Sequence, residues 1–321
     1  MSTLPIIGGL NPSPPAANRQ PYLVHHGINF ITPCPKSIDR IASLGPSSNL
    51  YVQSSRVWKR IELEEFSIRI EVRLTPTQIE IPKWTAREFE RLVLDSSPKV
   101  AVFDCDGTLW GGDAGYGFMV WSLEQGLVSR STSDWIDTRY RAYQSGQVSE
   151  LEICGEMVQI YAGLREQELR AAAAQYVGEF VRPRVFPEMA SLLATLRQAG
   201  VELWAVSSTN KWVVAEGMRD FGILENRILA AEVRVAEGVI YSEIVDVPTD
   251  EGKAATLRRV GLDRPDAAFG NSIHDLALLE IARHPFPVNP SPALLAAAAK
   301  NGWGYFRPQA VEGFEAAVAG E

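Results

Sequence analysis

The amino-acid sequence predicts an α/β fold in which a parallel sheet carries helices on both faces. Three observations lead there. Short apolar runs of strand length, VAVF at 100–103, VELWAV at 201–206 and AAFG at 267–270, alternate with longer stretches of helical spacing. Each run stops abruptly at polar residues, as a buried strand does where it leaves a sheet. An apolar fraction of 46% over 321 residues supplies a sizeable core, for one large domain or two modest ones.

Residues 1–55 are rich in Pro, Ser, Asn and Gly and lack sustained periodicity. They are expected to form a disordered N-terminal extension, or to lie upstream of the natural start. From Ile61 to Leu74 apolar and polar residues alternate, with a change of phase at Glu64 and Glu65, which predicts two short strands or one bulged strand. WTAREFERLVL carries the capping-box pair Thr85 and Glu88, then helical spacing through Phe89, Leu92 and Val93. Residues 56–98 therefore read as a β segment and a lead-in helix.

Val100 to Phe103 is the opening buried strand. Tyr116 to Gln198 is mostly helical in spacing, with breaks at Gly126, Gly146, Gly163 and RPRVFPE. VELWAV gives a second strand, Lys211 to Phe221 a helix, RILAA a third strand, and VRVAEGVIYSEIVDV a hairpin turning at Glu237 and Gly238. DEGKAATLRRVG opens with acids and closes on glycine, as helices do. AAFG, HDLALLEIARH and PFPV complete a strand, a helix and a last strand. Such alternation implies a parallel sheet, whose ligands sit beyond the carboxyl ends of the strands.

Bulk charge narrows the partners. With 31 Lys and Arg against 39 Asp and Glu, the formal net charge is -8, and no basic run tracks phosphate backbones or acidic lipid. Neither nucleic acid nor membrane is an expected partner. Cys34, Cys105 and Cys154 form no CxxC pair, and no signal-peptide pattern or membrane-length apolar window occurs. The cytoplasm is the expected compartment, and protein partners stay open.

The strand ends deliver a specific set of residues. Asp104 and Asp106 follow the first strand, Ser207 to Asn210 the second and Asn271 to Asp275 the strand AAFG, while Lys253 begins a helix nearby. Two carboxylates at the end of a buried strand are costly unless a cation or donors neutralise them. A phosphate monoester is a poor electrophile that needs a cation and several donors around its oxygens.

In order, DCDGTL (104–109), VSSTN (206–210), GKA (252–254) and GNSIHD (270–275) resemble the four motifs of the haloacid dehalogenase-type hydrolases, over roughly Lys99 to Pro308. Phosphoserine phosphatases and their near relatives look most similar, because a helical stretch of about eighty residues separates the first two motifs where that branch carries a small cap. The resemblance implies a Rossmann-like catalytic core from 99–112 and 196–321, with an inserted helical cap at 113–195. It also implies a magnesium-dependent phosphomonoesterase that works through an aspartyl phosphate. Asp104 is then the nucleophile and Asp106 the general acid and base. Ser207, Ser208 and Lys253 bind phosphate. Magnesium takes the Asp104 carboxylate, the Asp106 backbone carbonyl, Asn271 and Asp275.

Two departures stand out. Asn271 occupies a position that is usually aspartate, which removes one negative charge from the metal site. Ser208 stands where phosphoserine phosphatases often show glycine. Asp113, seven residues after Asp106, matches an acidic residue that reads a substrate ammonium in those enzymes; it also reads as the N-cap of the helix YGFMVW. Trp110, Tyr116, Phe118 and Trp121 lie around it in sequence, either as walls for an alkylated ammonium or as cap core. Arg139 and Arg141 are either donors to a substrate carboxylate or solvated helix charges. Phosphoserine, phosphocholine and phosphoethanolamine thus compete as substrates. The rival functions are a phosphotransferase that passes the group to an alcohol and a non-catalytic scaffold. Dehalogenation is disfavoured, because those relatives lack the second aspartate.

Overall fold

The computed structural model describes residues 81–311 throughout and, before them, the backbone of five strands. The chain divides into two compact units, residues 1–79 and 80–321. In the first, β1 (Thr3–Ile7), β2 (Tyr22–His25), β3 (Asn49–Ser54), β4 (Val57–Glu64) and β5 (Ser67–Arg73) make an antiparallel sheet of order β2-β1-β3-β4-β5. The phase change at Glu64 and Glu65 marks the end of β4, so the alternation belongs to two strands. Three of these strands fall within 1–55, where no regular structure is expected. Their short apolar runs, such as LPII and YLV, pair with one another across long connections, a signal that local periodicity does not carry. Cys34 lies outside the described residues.

The lead-in helix belongs to the second unit, not with the β segment. It is α1 (Ala86–Asp95), and Thr85 and Glu88 close the expected capping box: Thr85 Oγ1 accepts from the Glu88 N–H at 3.3 Å and Glu88 Oε2 accepts from the Thr85 N–H at 2.9 Å.

The second unit is built on six strands in the order β10-β9-β8-β7-β11-β12. They are β7 (Val100–Phe103), β8 (Glu202–Asn210), β9 (Ile228–Ala236), β10 (Val239–Asp246), β11 (Ala267–Gly270) and β12 (His284–Pro287). All neighbours run parallel except the β9–β10 hairpin, which turns at Glu237 and Gly238, both at positive φ as a type I′ turn requires. RILAA and VRVA form one continuous strand, β9. A two-residue pairing of β6 (Lys83–Trp84) with β13 (Tyr305–Phe306) closes one side.

Alternate strand residues enter two separate cores, which is the physical sign of helices on both faces. Ala101 and Phe103, Leu203 and Ala205, and Ala267 and Phe269 pack into one cluster. Val102, Trp204 and Val206, and Ala268 pack into the other. In the first cluster, Phe103, Phe269 and Phe286 stand side by side on paired strands, with ring centroids 4.3 and 5.1 Å apart and interplanar angles of 6° and 15°.

Between β7 and β8 lie α2 (Ala114–Glu124), α3 (Arg130–Gln144), α4 (Glu150–Gln159), α5 (Glu166–Tyr176) and α6 (Pro187–Gln198). Gly126, Gly146 and Gly163 fall at the expected breaks, each at positive φ. Phe118 and Trp121 are buried in contact with Tyr176, as core. The remaining helices are α7 (Lys211–Arg219), α8 (Glu251–Arg259), α9 (Leu276–Ile281) and α10 (Pro292–Asn301). Among the described residues no helix is long and apolar enough to cross a membrane.

Candidate active site

The carboxyl ends of β7, β8 and β11 open into a cavity of ≈ 240 Å³. Strand order explains the place: the chain moves outward from β7 to β8 and β9, then returns to add β11 on the other side of β7, and a crevice opens where the direction reverses.

Asp104 and Asp106 leave β7 on a tight loop. A Cβ on Gly107, whose φ is +72°, would stand 1.9 Å from Asn271 Nδ2, so only glycine lets the first and fourth motifs touch. Asp104 Oδ2 accepts from Thr108 Oγ1 at 2.8 Å, and Oδ1 accepts from Lys253 Nζ at 2.7 Å. Lys253, in the first turn of α8, is buried and also bonds Asp275 Oδ1. Asp275 Oδ2 accepts from the Asn271 and Ser272 N–H groups at 2.8 and 2.9 Å and from Ser272 Oγ at 3.3 Å. Burial first, then the Asp275 charge, push the Asp104 carboxyl up to about 7 against the pull of Lys253. Burial opposes the lysine's charge too, but its two carboxylate partners outweigh that and raise its pKa.

Asp106 is held by three donors. Oδ1 accepts from Trp110 Nε1 at 2.6 Å and the Ala114 N–H at 2.9 Å, and Oδ2 from Thr209 Oγ1 at 2.5 Å. Burial and the charge of Asp113 raise its carboxyl to about 6, while those three donors hold it down. A carboxyl near 6 can both give and take a proton close to neutrality.

The second motif reaches the cavity through an irregular strand. Ser207 pairs with Ala230 and Asn210 with the next residue, Ala231, so Ser208 and Thr209 bulge out of the ladder into the crevice. Ser207 is buried, its Oγ accepting from the Thr209 N–H at 3.2 Å.

Six of the residues singled out from sequence, Asp104, Asp106, Ser207, Ser208, Lys253 and Asn271, therefore line one cavity, and Asp113 lines it as well. Asp275 backs it through Lys253. Asp113 caps α2, with Oδ1 accepting from the Tyr116 N–H at 2.8 Å. It is exposed toward the cavity, yet the protein packed around it raises its pKa, with the Glu150 charge adding to the effect.

Other expectations change. None of Trp110, Tyr116, Phe118 and Trp121 lines the cavity; the rings that do are Tyr140 and Tyr143, together with Glu150 and His274. Arg139 and Arg141 are not in the wall either. Arg139 pairs with Glu156 at 2.8 and 2.9 Å, and Arg141 with Asp137 one turn away. Cys105 is buried, and burial pushes its thiol well above the ordinary range.

The charges in the wall fit a hard cation. Asp104, Asp106, Asp113 and Glu150 face the cavity against one lysine, which is already engaged at its floor. Among the described residues no three His, Cys, Asp or Glu side chains make a cage of their own. The Asp104 carboxylate and the Asn271 amide in the lining are hard-oxygen donors, of the kind that would suit magnesium.

A parallel sheet that brings two carboxylates, a buried lysine and strand-end hydroxyls into one crevice defines a phosphoric monoester hydrolase. The family model of the haloacid dehalogenase-like hydrolases matches residues 101–280, more than half of the chain, and the chain belongs to that family. It is 25% identical over 215 residues to "Histidinol-phosphatase" of Neisseria meningitidis serogroup C (strain 8013), spanning 64% of this chain and 96% of that one. A protein of Mycobacterium tuberculosis named as a probable phosphatase is 25% identical over 211 residues, 63% of this chain and 73% of its own. In fold, the chain is similar to a crystal structure of a protein of unknown function from Bordetella pertussis Tohama I, with a TM-score of 0.58, 23% identity and coverage of 64% of this chain and 97% of that one.

Proposed function

We propose that this hydrolase is a magnesium-dependent phosphatase that cleaves a small phosphomonoester through an aspartyl phosphate on Asp104. The supporting observation is the convergence of Asp104, Asp106, Ser207, Ser208, Lys253 and Asn271 on one cavity. In the first step Asp104 attacks phosphorus while Asp106 gives its proton to the departing alkoxide. In the second, Asp106, now ionised, takes a proton from the water that attacks the phosphoenzyme, releasing phosphate and freeing Asp104. Lys253 keeps Asp104 turned into the crevice and offers charge to the phosphoryl group, and Ser207 and Ser208 donate to its oxygens. The Asp104 carboxylate, the Asp106 carbonyl and Asn271 would hold magnesium, which would neutralise charge on the phosphoryl oxygens. Asp275, whose oxygens accept from Lys253 and from the Asn271 and Ser272 N–H groups, would add to that site directly or through water.

Substrates of the phosphoserine, phosphocholine and phosphoethanolamine kind remain candidates, and the histidinol phosphate in the Neisseria relative's name joins them. The test is phosphate release from p-nitrophenyl phosphate and these esters with magnesium and with EDTA. Release that needs magnesium and disappears in Asp104→Asn supports the reading. p-Nitrophenol that appears only when an alcohol acceptor is added, with the phosphoryl group recovered on that acceptor and not as free phosphate, favours the transferase, and a metal-independent background indifferent to that substitution favours the scaffold.

A further inference from the structure

Thr249 to Gly252 leads into α8 through a tight turn. The Gly252 N–H donates to the Thr249 carbonyl at 2.8 Å, and Asp250, the first of the two central residues, has φ +49° and ψ -130°. Those angles are the first corner of a type II′ turn, a place that glycine ordinarily fills because a side chain there strains the backbone. The turn carries a second cost. The buried Thr249 hydroxyl has no hydrogen-bond partner among the described residues.

Asp250 also forgoes the use that its place suggests. It is the N-cap of α8, where an aspartate ordinarily accepts from a backbone N–H of the first turn, yet its side chain makes no such bond. Its Oδ1 lies instead 2.7 Å from Nδ1 of His274, in the loop of the fourth motif. A carboxylate only accepts, so Nδ1 donates; that fixes the ring's orientation and leaves Nε2 as its other polar atom. Nε2 stands 4.0 Å from Glu150 Oε2, and His274 and Glu150 both line the cavity. The main chain of His274 is pinned as well, its N–H donating to Ser272 Oγ at 3.2 Å.

Strain of this kind persists only where the surroundings enforce it, and it gathers where a group must be aimed. In the phosphatase reading Asp104, Asp106, Ser207, Ser208, Lys253 and Asn271 serve the phosphoryl group and its metal, which leaves the imidazole beside α4 for the organic part of the ester. We propose that Asp250 is a positioning residue, whose strained turn aims His274 so that Nε2 hydrogen-bonds the organic part of a bound phosphomonoester. The proposal rests on the phosphatase reading. A ring already locked by a carboxylate makes that bond without giving up rotamer freedom on binding, and an unlocked one does not.

Two esters of similar size provide the test: sn-glycerol 3-phosphate, whose organic part carries hydroxyls, and n-propyl phosphate, whose organic part carries none, with p-nitrophenyl phosphate as the reference. The wild-type enzyme is expected to favour the glycerol ester by about tenfold or more in kcat/KM. His274→Ala and Asp250→Gly should each lower that ratio about tenfold, chiefly through KM, and the double variant should lose no more than His274→Ala alone. Asp250→Asn keeps an oxygen for Nδ1 and should restore part of the ratio. Asp250→Gly should melt no lower than wild type although it loses a hydrogen bond, because glycine relieves the turn. If His274→Ala does not fold, the ratios of the two Asp250 variants still decide. Equal use of the two esters by the wild type, an equal loss on both in Asp250→Gly, additive losses in the double variant, or a lower melting temperature for Asp250→Gly would overturn the positioning role while leaving the phosphatase intact. No release from any ester, the reference included, sinks the phosphatase reading and the positioning role with it.

Discussion

Replacing Lys253 with methionine removes the positive charge that bridges two buried carboxylates. Nζ lies 2.7 Å from Asp104 Oδ1 and also bonds Asp275 Oδ1, and the lysine side chain is 2% exposed. Methionine fills similar volume without charge, so the loss is chiefly electrostatic. Removing one member of a buried, hydrogen-bonded charge cluster costs about 3–5 kcal/mol. Asp104 gives that cost a pH dependence. Its carboxyl is raised from 3.8 to about 7 in the folded protein, chiefly by burial. The folded state thus holds more protons than the unfolded chain across that window, and stability falls as pH rises through it. Lysine pulls the value down, so its removal extends the window upward. Urea unfolding followed by tryptophan fluorescence in EDTA, at about pH 5.5 and about pH 8, measures both effects. Lys253→Met should lose most stability at the higher pH and recover a substantial part at the lower one. A variant as stable as wild type at the higher pH, or equally destabilised at both, would refute the coupling of Lys253 to Asp104.

Two further outcomes follow from the site. Thr209→Val deletes one of the three donors that hold Asp106 down, so its carboxyl should rise above its value of about 6 and move the alkaline limb of the kcat profile for phosphate release upward by on the order of one unit; an unmoved limb would separate Asp106 from the proton transfer. Asn271→Asp adds a negative charge to the hard-oxygen set, and the magnesium concentration for half-maximal activity should fall about tenfold; an unchanged or weaker requirement would remove Asn271 from the metal site.

The strand ends that line the cavity are legible in the sequence because several local signals agree there. VAVF is too apolar for any place but a sheet interior, and DCDG is too polar to continue it. Glycines at 126, 146 and 163 punctuate the helices for the same local reason, and Thr85 with Glu88 announces α1. What escaped depends on contacts between distant segments. Glu150, Tyr140 and Tyr143 reach the cavity because α3 and α4 pack over it, whereas proximity in sequence pointed to Trp110, Tyr116, Phe118 and Trp121. Trp110 faces inward, where its indole bonds Asp106. Ser208 and Thr209 are expected beyond the end of the second strand, yet they belong to that strand, whose pairing skips them, and a bulge leaves no mark in apolar periodicity. The β6–β13 pair joins residues more than two hundred positions apart through two residues on each side, too few for a pattern.

The row of phenylalanines on β7, β11 and β12 governs alignment as well as cohesion. Phe103 immediately precedes the proposed nucleophile Asp104, and Phe269 stands two positions before Asn271, so each flat ring abuts a chain segment that lines the cavity. Sliding either strand by one position would turn its ring to the opposite side of the sheet. Greasy interior contacts thus act as a gauge for polar chemistry at the rim, and drift in the interior would surface first as lost turnover.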